Sequence, residues 1–116
     1  MTPDELRRRT AGYAVDVFGR ARLLLGQLEA KHAALQLIRA SSSVAANYRA
    51  ACRARSRAEF IAKIGVGLEE ADESLCWLEY LVDTKLVTSP DVDSLMNEAH
   101  QLVAIFTSTR TTARGR

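Results

Sequence analysis

"AACRARSRAEF", residues 50–60, decides between two very different folds. Helical periodicity runs on both sides of it, and it holds neither glycine nor proline to interrupt that period. Read straight through, residues 33–86 form one rod, far longer than the helices of globular proteins usually are. Read with Ser56 as a cap, the chain turns back on itself. Ser56 and Glu59 have capping-box spacing, in which the hydroxyl accepts a backbone N–H of the first turn and the acid reaches back to the cap. The turn is the better reading, because a bundle buries both apolar stripes and a lone rod leaves them in water.

Downstream of the turn the apolar residues are Ile61, Ile64, Leu68, Ala71, Leu75, Leu78 and Val82. Their steps alternate between three and four, the seam of a left-handed bundle. Upstream, a helix from about Ala33 to Arg53 carries "ASSSVAAN" (residues 40–47). Antiparallel pairing across the turn places Ser43 opposite Gly67, Val44 near Val66 and Asn47 near Lys63. Gly65 and Gly67 each cost a helix interior ~1 kcal/mol relative to alanine. Close approach of the two backbones, small residue against small residue, is the expected reason for tolerating them. The same register brings Arg39 to Glu70 and Glu73, so Arg39, Ser43, Asn47, Glu70 and Glu73 are expected to form a structural polar cluster.

The outer helices are read from their ends. "TPDE" supplies Thr2 as cap, Pro3 in the first turn and Glu5 as the capping-box acid. The stripe behind it is Leu6, Tyr13, Val17, Ala21, Leu24 and Leu28, and "EAKH" (29–32) reads as a connection. "VTSPD" (87–91) stops the third helix, with Ser89 as the expected cap, Pro90 in the first turn, and Asp91 and Asp93 favouring the positive end of the fourth helix. Its stripe is Val92, Leu95, Ala99, Leu102 and Phe106. Four helices with short connections make an all-α, up-down-up-down, left-handed four-helix bundle. Residues 1–110 are assigned to this one domain and 111–116 to a disordered basic tail.

Composition agrees. The 116 residues are one domain's worth, and 26% charged with 47% hydrophobic residues is a globular balance. Two prolines and six glycines are too few for an all-β chain with many turns. The first residues lack an apolar signal core, and no apolar run approaches a membrane span. Cys52 and Cys76 are read as unpaired thiols of a reducing cytoplasm and as small core residues.

The net charge is only +2, but it is unevenly placed: residues 59–98 hold ten acids against Lys63 and Lys85, leaving −8 there and +10 elsewhere. In the bundle, the start of helix one, the end of helix two, the start of helix three and the end of helix four share one pole. That pole collects Arg7, Arg8, Arg9, Arg49, Arg53, Arg55, Arg57, Arg110, Arg114 and Arg116, and no lysine.

Catalysis has little support. A di-iron bundle needs Glu-x-x-His motifs, and neither His32 nor His100 completes one. No nucleophile signature joins Cys52 to His100, and no glycine-rich phosphate loop occurs. No catalytic residue, metal ligand or cofactor is assigned. Two function classes remain. In one, Arg7, Arg8, Arg9, Arg49, Arg53, Arg55, Arg57 and Arg110 bind the phosphates of RNA or DNA. Such binding would tolerate any sequence, since no aromatics interleave the arginines. In the other, the chain is a scaffold or interaction module whose pole meets an acidic protein partner. A purely structural account competes with both, because arginines at the ends of helices two and four complement the helix dipole.

The stretches "QLIRASSSVAANY" (36–48), "SRAEFIAKIGVGLEEADES" (56–74) and "WLEYL" (77–81) resemble a bacterial family of four-helix bundle proteins. That family includes proteins encoded inside intervening sequences of 23S ribosomal RNA genes. Arg39, Ser43, Asn47, Phe60, Gly67, Glu70 and Trp77 carry the resemblance in order and spacing. Many members follow the asparagine with Ala-Glu-Gly, whereas Arg49, Ala50 and Ala51 stand there in this chain. The resemblance implies a left-handed bundle assembled as a cyclic homo-oligomer, often a pentamer. It also implies an interface on a second stripe of Phe60, Trp77 and Leu81, which could otherwise flank the core. A relative, the accessory protein of diversity-generating retroelements, binds nucleic acid and a reverse transcriptase, so either is an implied partner.

Overall fold

The computed structural model describes residues 1–115. Its helices are α1 (Pro3–Ala21), α2 (Leu28–Cys52), α3 (Arg57–Asp83) and α4 (Ser89–Arg114), with a short 3₁₀ turn at Arg22–Leu24 and no strand among the described residues. Ser56, in extended conformation, accepts the Glu59 N–H at 3.0 Å, and α3 begins there. At α1 the capping box is complete: Glu5 N–H donates to Thr2 Oγ1 at 3.1 Å, and Thr2 N–H donates to Glu5.

Three boundaries differ from the sequence reading. "EAKH" is helical, because α2 starts at Leu28 and the connection is confined to residues 25–27. Ala30 is wholly buried, so packing carries the helix past the polar residues around it. Leu28, expected on the first stripe, is 90% exposed. The cap of α4 is Thr88 rather than Ser89. Residues 111–114 continue α4, where a disordered tail was expected, and Arg116 lies outside the described residues.

No glycine ends α3. Lys85 takes the left-handed conformation instead (φ 63°), with Lys85 N–H donating to Val82 O at 2.9 Å and Leu86 N–H to Leu81 O at 3.0 Å. This is the Schellman pattern, which satisfies the last carbonyls of the helix.

Contacts between α2 and α3 are the most extensive, and those between α1 and α4 the thinnest. Arg39 of α2 meets Glu70 of α3, and Arg57 at the start of α3 meets Ala113 at the end of α4. The body is about twice as long as wide, 46 × 20 × 19 Å.

Leu37 and Val44 of α2, Ile64 and Leu78 of α3, Leu102 and Phe106 of α4, and Val17 of α1 lie in the core. The predicted stripes of α1 and α4 are buried apart from Leu28, and Thr10 fills the gap between Leu6 and Tyr13. In α3 the seam is displaced: Ile64, Gly67, Ala71, Ser74, Leu78 and Leu81 are buried, whereas Ile61, Leu68 and Val82 are only half-buried. Ser74 sits in this seam because the Tyr13 hydroxyl bonds it at 2.8 Å and Ser74 Oγ in turn donates to Ala71 O. Among the described residues, every buried side-chain polar atom has a partner. Cys52 and Cys76, expected in the core, are both exposed, because they fall off the buried faces of α2 and α3.

The expected facing of Gly67 with Ser43 is not what the structure contains. A Cβ at Gly67 would stand 2.3 Å from Phe106 Cε2, so the glycine makes room for an α4 ring. Ser43 reaches Glu70 instead, at 3.2 Å.

Candidate nucleic-acid interface

One end of the bundle is defined by a cavity of about 540 Å³. Around it stand Thr2, Pro3 and Leu6 from the start of α1, Tyr48, Ala51 and Cys52 from the end of α2, Phe60 of α3, and Ile105 and Thr109 of α4. Burial, followed by the hydrogen bond with Cys52, pushes the Tyr48 phenol up to about 12. The four helix ends meet here, and their arginines surround this end.

Those arginines are not equivalent. Arg9 Nε donates to Glu98 Oε2 at 2.7 Å and Nη2 to Glu98 Oε1 at 2.9 Å, with Gln101 alongside. This bidentate pair ties α1 to α4 across their thin seam, so Arg9 is a fastening rather than an open cation as the sequence reading had it. Its partners come from the packing of α1 on α4, which no short connection dictates. Arg57 Nε donates to the Ala113 carbonyl at 2.6 Å and so caps the end of α4. Arg7 pairs with Asp4, one turn away and exposed. Arg8, Arg49, Arg53 and Arg55 are exposed and join no ion pair among the described residues. Arg110 is half-buried on α4, and its Nη1 lies 4.0 Å from where a Cβ of Gly65 would stand.

A groove of about 560 Å³ runs between α1 and α2 beside this end, with Arg7, Arg49 and Arg53 along it and Ala11, Ala45 and Ala46 as its floor. The sequence reading missed the alanines. The available signal was that Ala45 and Ala46 fall off the buried face of α2 and are small where a surface position is usually polar.

The α2–α3 seam carries a second feature. Arg39 Nη1 donates to both Glu70 oxygens at 3.1–3.2 Å, and Nη2 donates to Glu73. Ser43 Oγ donates to Glu70, and Asn47 Nδ2 donates to Ser43 O at 2.9 Å and Oγ at 3.0 Å. All five residues therefore form one chain of bonds. Arg39, followed by the Trp77 indole N–H, holds the Glu73 carboxyl below its ordinary range. Trp77 stands edge-on to His32 and Tyr80, at 5.5 and 5.4 Å between ring centres.

The proposed interface stripe is only partly on the surface. Leu81 is 1% exposed and belongs to the core, because the α3 seam runs through it. Phe60 and Trp77 are half-buried against the core. Tyr80, beside Trp77, is 46% exposed, and other large apolar residues left in solvent include Val15, Phe18 and Leu23 near α1.

The model of the 23S rRNA-intervening sequence protein family matches residues 10–108, which span all four helices. The chain belongs to this family. A solved crystal structure of similar fold is a protein of unknown function from the S23 ribosomal protein family of Bacteroides thetaiotaomicron VPI-5482. It is 29% identical, with 90% of this chain and 96% of that chain covered and a TM-score of 0.84. No curated protein matches significantly. Neither comparison indicates an enzymatic family. Among the described residues, no helix is long and apolar enough to cross a membrane, and no cluster of three or more His, Cys, Asp or Glu side chains could hold a metal ion.

Proposed function

We propose that this family member is a non-enzymatic accessory protein of the cytoplasm that binds RNA or DNA, without sequence preference, through its arginine-rich end. The observation that carries this reading is the gathering of arginines from four chain segments at one end, with Arg8, Arg49, Arg53 and Arg55 in no ion pair among the described residues. Guanidinium pairs with phosphate through two parallel hydrogen bonds, and clustered guanidinium is the footprint of phosphate recognition. The working form is a left-handed, cyclic homo-oligomer, with a pentamer as the expected number. A ring would repeat the basic end around one rim and raise its potential toward a polyanion.

The test is fluorescence anisotropy with mixed-sequence RNA and DNA across a salt series. Binding should weaken steeply with salt as counterions are released, and alike for all sequences. Absence of binding at low salt overturns the nucleic-acid reading. Light scattering on the eluting species should give several times the 12.8 kDa chain mass; a monomer overturns the ring.

A second reading has its own support: Val15 is 69% and Leu23 63% exposed, an apolar surface suited to a protein contact. In that reading the chain is a scaffold or interaction module, and its basic end meets an acidic protein partner. Co-purification with and without nuclease separates the two.

A further inference from the structure

We infer that the groove between α1 and α2, rather than the end face of the bundle, seats the sugar–phosphate backbone of a nucleic-acid strand; this rests on the nucleic-acid reading above. The groove has cations along it and no carboxylate among its lining residues. Arg49, in the last turn of α2, and Arg53, its C-cap, are four residues and about 6 Å apart along the axis, so they can address successive phosphates of one strand. Both are exposed, and neither joins an ion pair among the described residues. Arg7 faces them from α1. Its exposed pair with Asp4 is of the kind that contributes little to stability and yields readily to a phosphate.

The floor matters as much as the charge. Ala11, Ala45 and Ala46 present only methyl groups. They let a sugar edge lie close to the helices and offer no acceptor to repel a phosphate. The end face is built differently. Its cavity is lined by Leu6, Phe60 and Ile105 and carries no arginine. Two of the arginines expected there are already engaged, Arg9 by Glu98 and Arg57 by the Ala113 carbonyl.

The experiment compares three full-length variants with the wild type, using labelled mixed-sequence single-stranded RNA, single-stranded DNA and duplex DNA as probes. The groove variant is R7Q/R49Q/R53Q. The control R22Q/K31Q/K85Q removes the same charge at exposed positions of the opposite end of the bundle, outside the groove and the basic end. The third, A46L, changes no charge and fills the floor at an exposed position. The groove variant should weaken binding at least ~10-fold and flatten the salt slope by about two for a single strand, while the control shifts affinity by less than roughly threefold. A46L should weaken binding with the slope unchanged, and the probe bound best identifies the strand type.

Equal losses in the two triple variants, with A46L silent, overturn the groove and leave the nucleic-acid reading standing. A wild type that binds no probe at low salt overturns both. Assembly mass is read in parallel. If the groove variant alone falls apart, the groove is a contact between copies and the inference fails.

Discussion

Replacing Gly67 with alanine sets two effects of known size against each other. Alanine is favoured over glycine in a helix interior by about 1 kcal/mol, and Gly67 lies well inside α3. Against this, the new methyl would stand 2.3 Å from Phe106 Cε2 and 2.9 Å from Cδ2. Carbon atoms pack at about 3.5–4.0 Å, so the ring must retreat by roughly 1 Å or more. Phe106 is wholly buried and rests against Tyr48 at 5.8 Å between ring centres, which leaves it nowhere easy to go. Overpacking of this kind costs about 1–3 kcal/mol. The net expectation is a loss near 1 kcal/mol, a few degrees in Tm for a domain of this size.

Gly65 provides the contrast. A Cβ there meets nothing nearer than Arg110 Nη1 at 4.0 Å, so Gly65→Ala should stabilise by up to ~1 kcal/mol. In a Phe106→Leu background the clash at Gly67 is relieved, and Gly67→Ala should turn neutral or stabilising. The coupling between the two sites should then exceed about 1 kcal/mol. Urea unfolding followed by circular dichroism, at one fixed protein concentration, measures all of these. Stabilisation by Gly67→Ala in the wild type, or an equal cost in both backgrounds, would refute the assignment of Gly67 to the Phe106 ring.

Arg39→Met and Glu70→Gln should be less than additive, with a coupling of about 0.5–1 kcal/mol because the arginine is half exposed; strict additivity in unfolding would show that the bridge contributes nothing. Arg39 and Trp77 lower the folded pKa of Glu73, so their stabilisation is present above the unfolded carboxylate range and is lost as pH falls through the folded value; Arg39→Met should flatten acid unfolding there. Burial pushes Tyr13 up to about 12, above its unfolded value of about 10. The unfolded state then releases its proton first, and stability should fall between about pH 10 and 12, less so in Tyr13→Phe. Lys85→Gly should stabilise by up to ~1 kcal/mol, since lysine is strained at φ 63° and glycine is not; an unchanged urea midpoint would show that the strain is negligible.

Much of the fold is legible in the sequence because several signals coincide at each break. Thr2 with Glu5, and Ser56 with Glu59, mark helix starts by side-chain chemistry that needs no tertiary partner. The stripe of α4 is legible for the same reason, as its core face is uniformly apolar. The seam of α3 is harder, because Gly67 and Ser74 occupy core positions without looking apolar. Leu68 and Leu75, one residue further on, keep the same three-four spacing and compete for the assignment. What makes Gly67 and Ser74 core residues is remote, a ring of α4 and a hydroxyl of α1. The basic end is legible as a collection of charges but not as a site. Which arginines are held and which stay open depends on Glu98, Gln101 and Ala113, and these are set by how α1 and α3 lie on α4.

Helix dipoles account for only part of that charge. Arg49, Arg53, Arg110 and Arg114 lie at or near the C-terminal ends of α2 and α4, where a cation is stabilised by about 0.3–1 kcal/mol. Arg57 has a structural role in its bond to the Ala113 carbonyl, and Arg9 in its bond to Glu98. Arg7 and Arg8 are different. They lie in the second turn of α1, past the first turn over which its dipole acts, and gain no support from it. Arg55 stands two residues before the start of α3, at a positive end that opposes a cation. The fold gains nothing from these three in dipole energy, and the acids beside Arg7 and Arg8, Asp4 and Glu5, are exposed. Charge without local support calls for a reason outside the fold. Arg7 is also the residue through which α1 contributes to the alanine-floored groove. A position to which the helix dipole gives no support is therefore the one the groove needs, since without it the cations would lie on the α2 side alone.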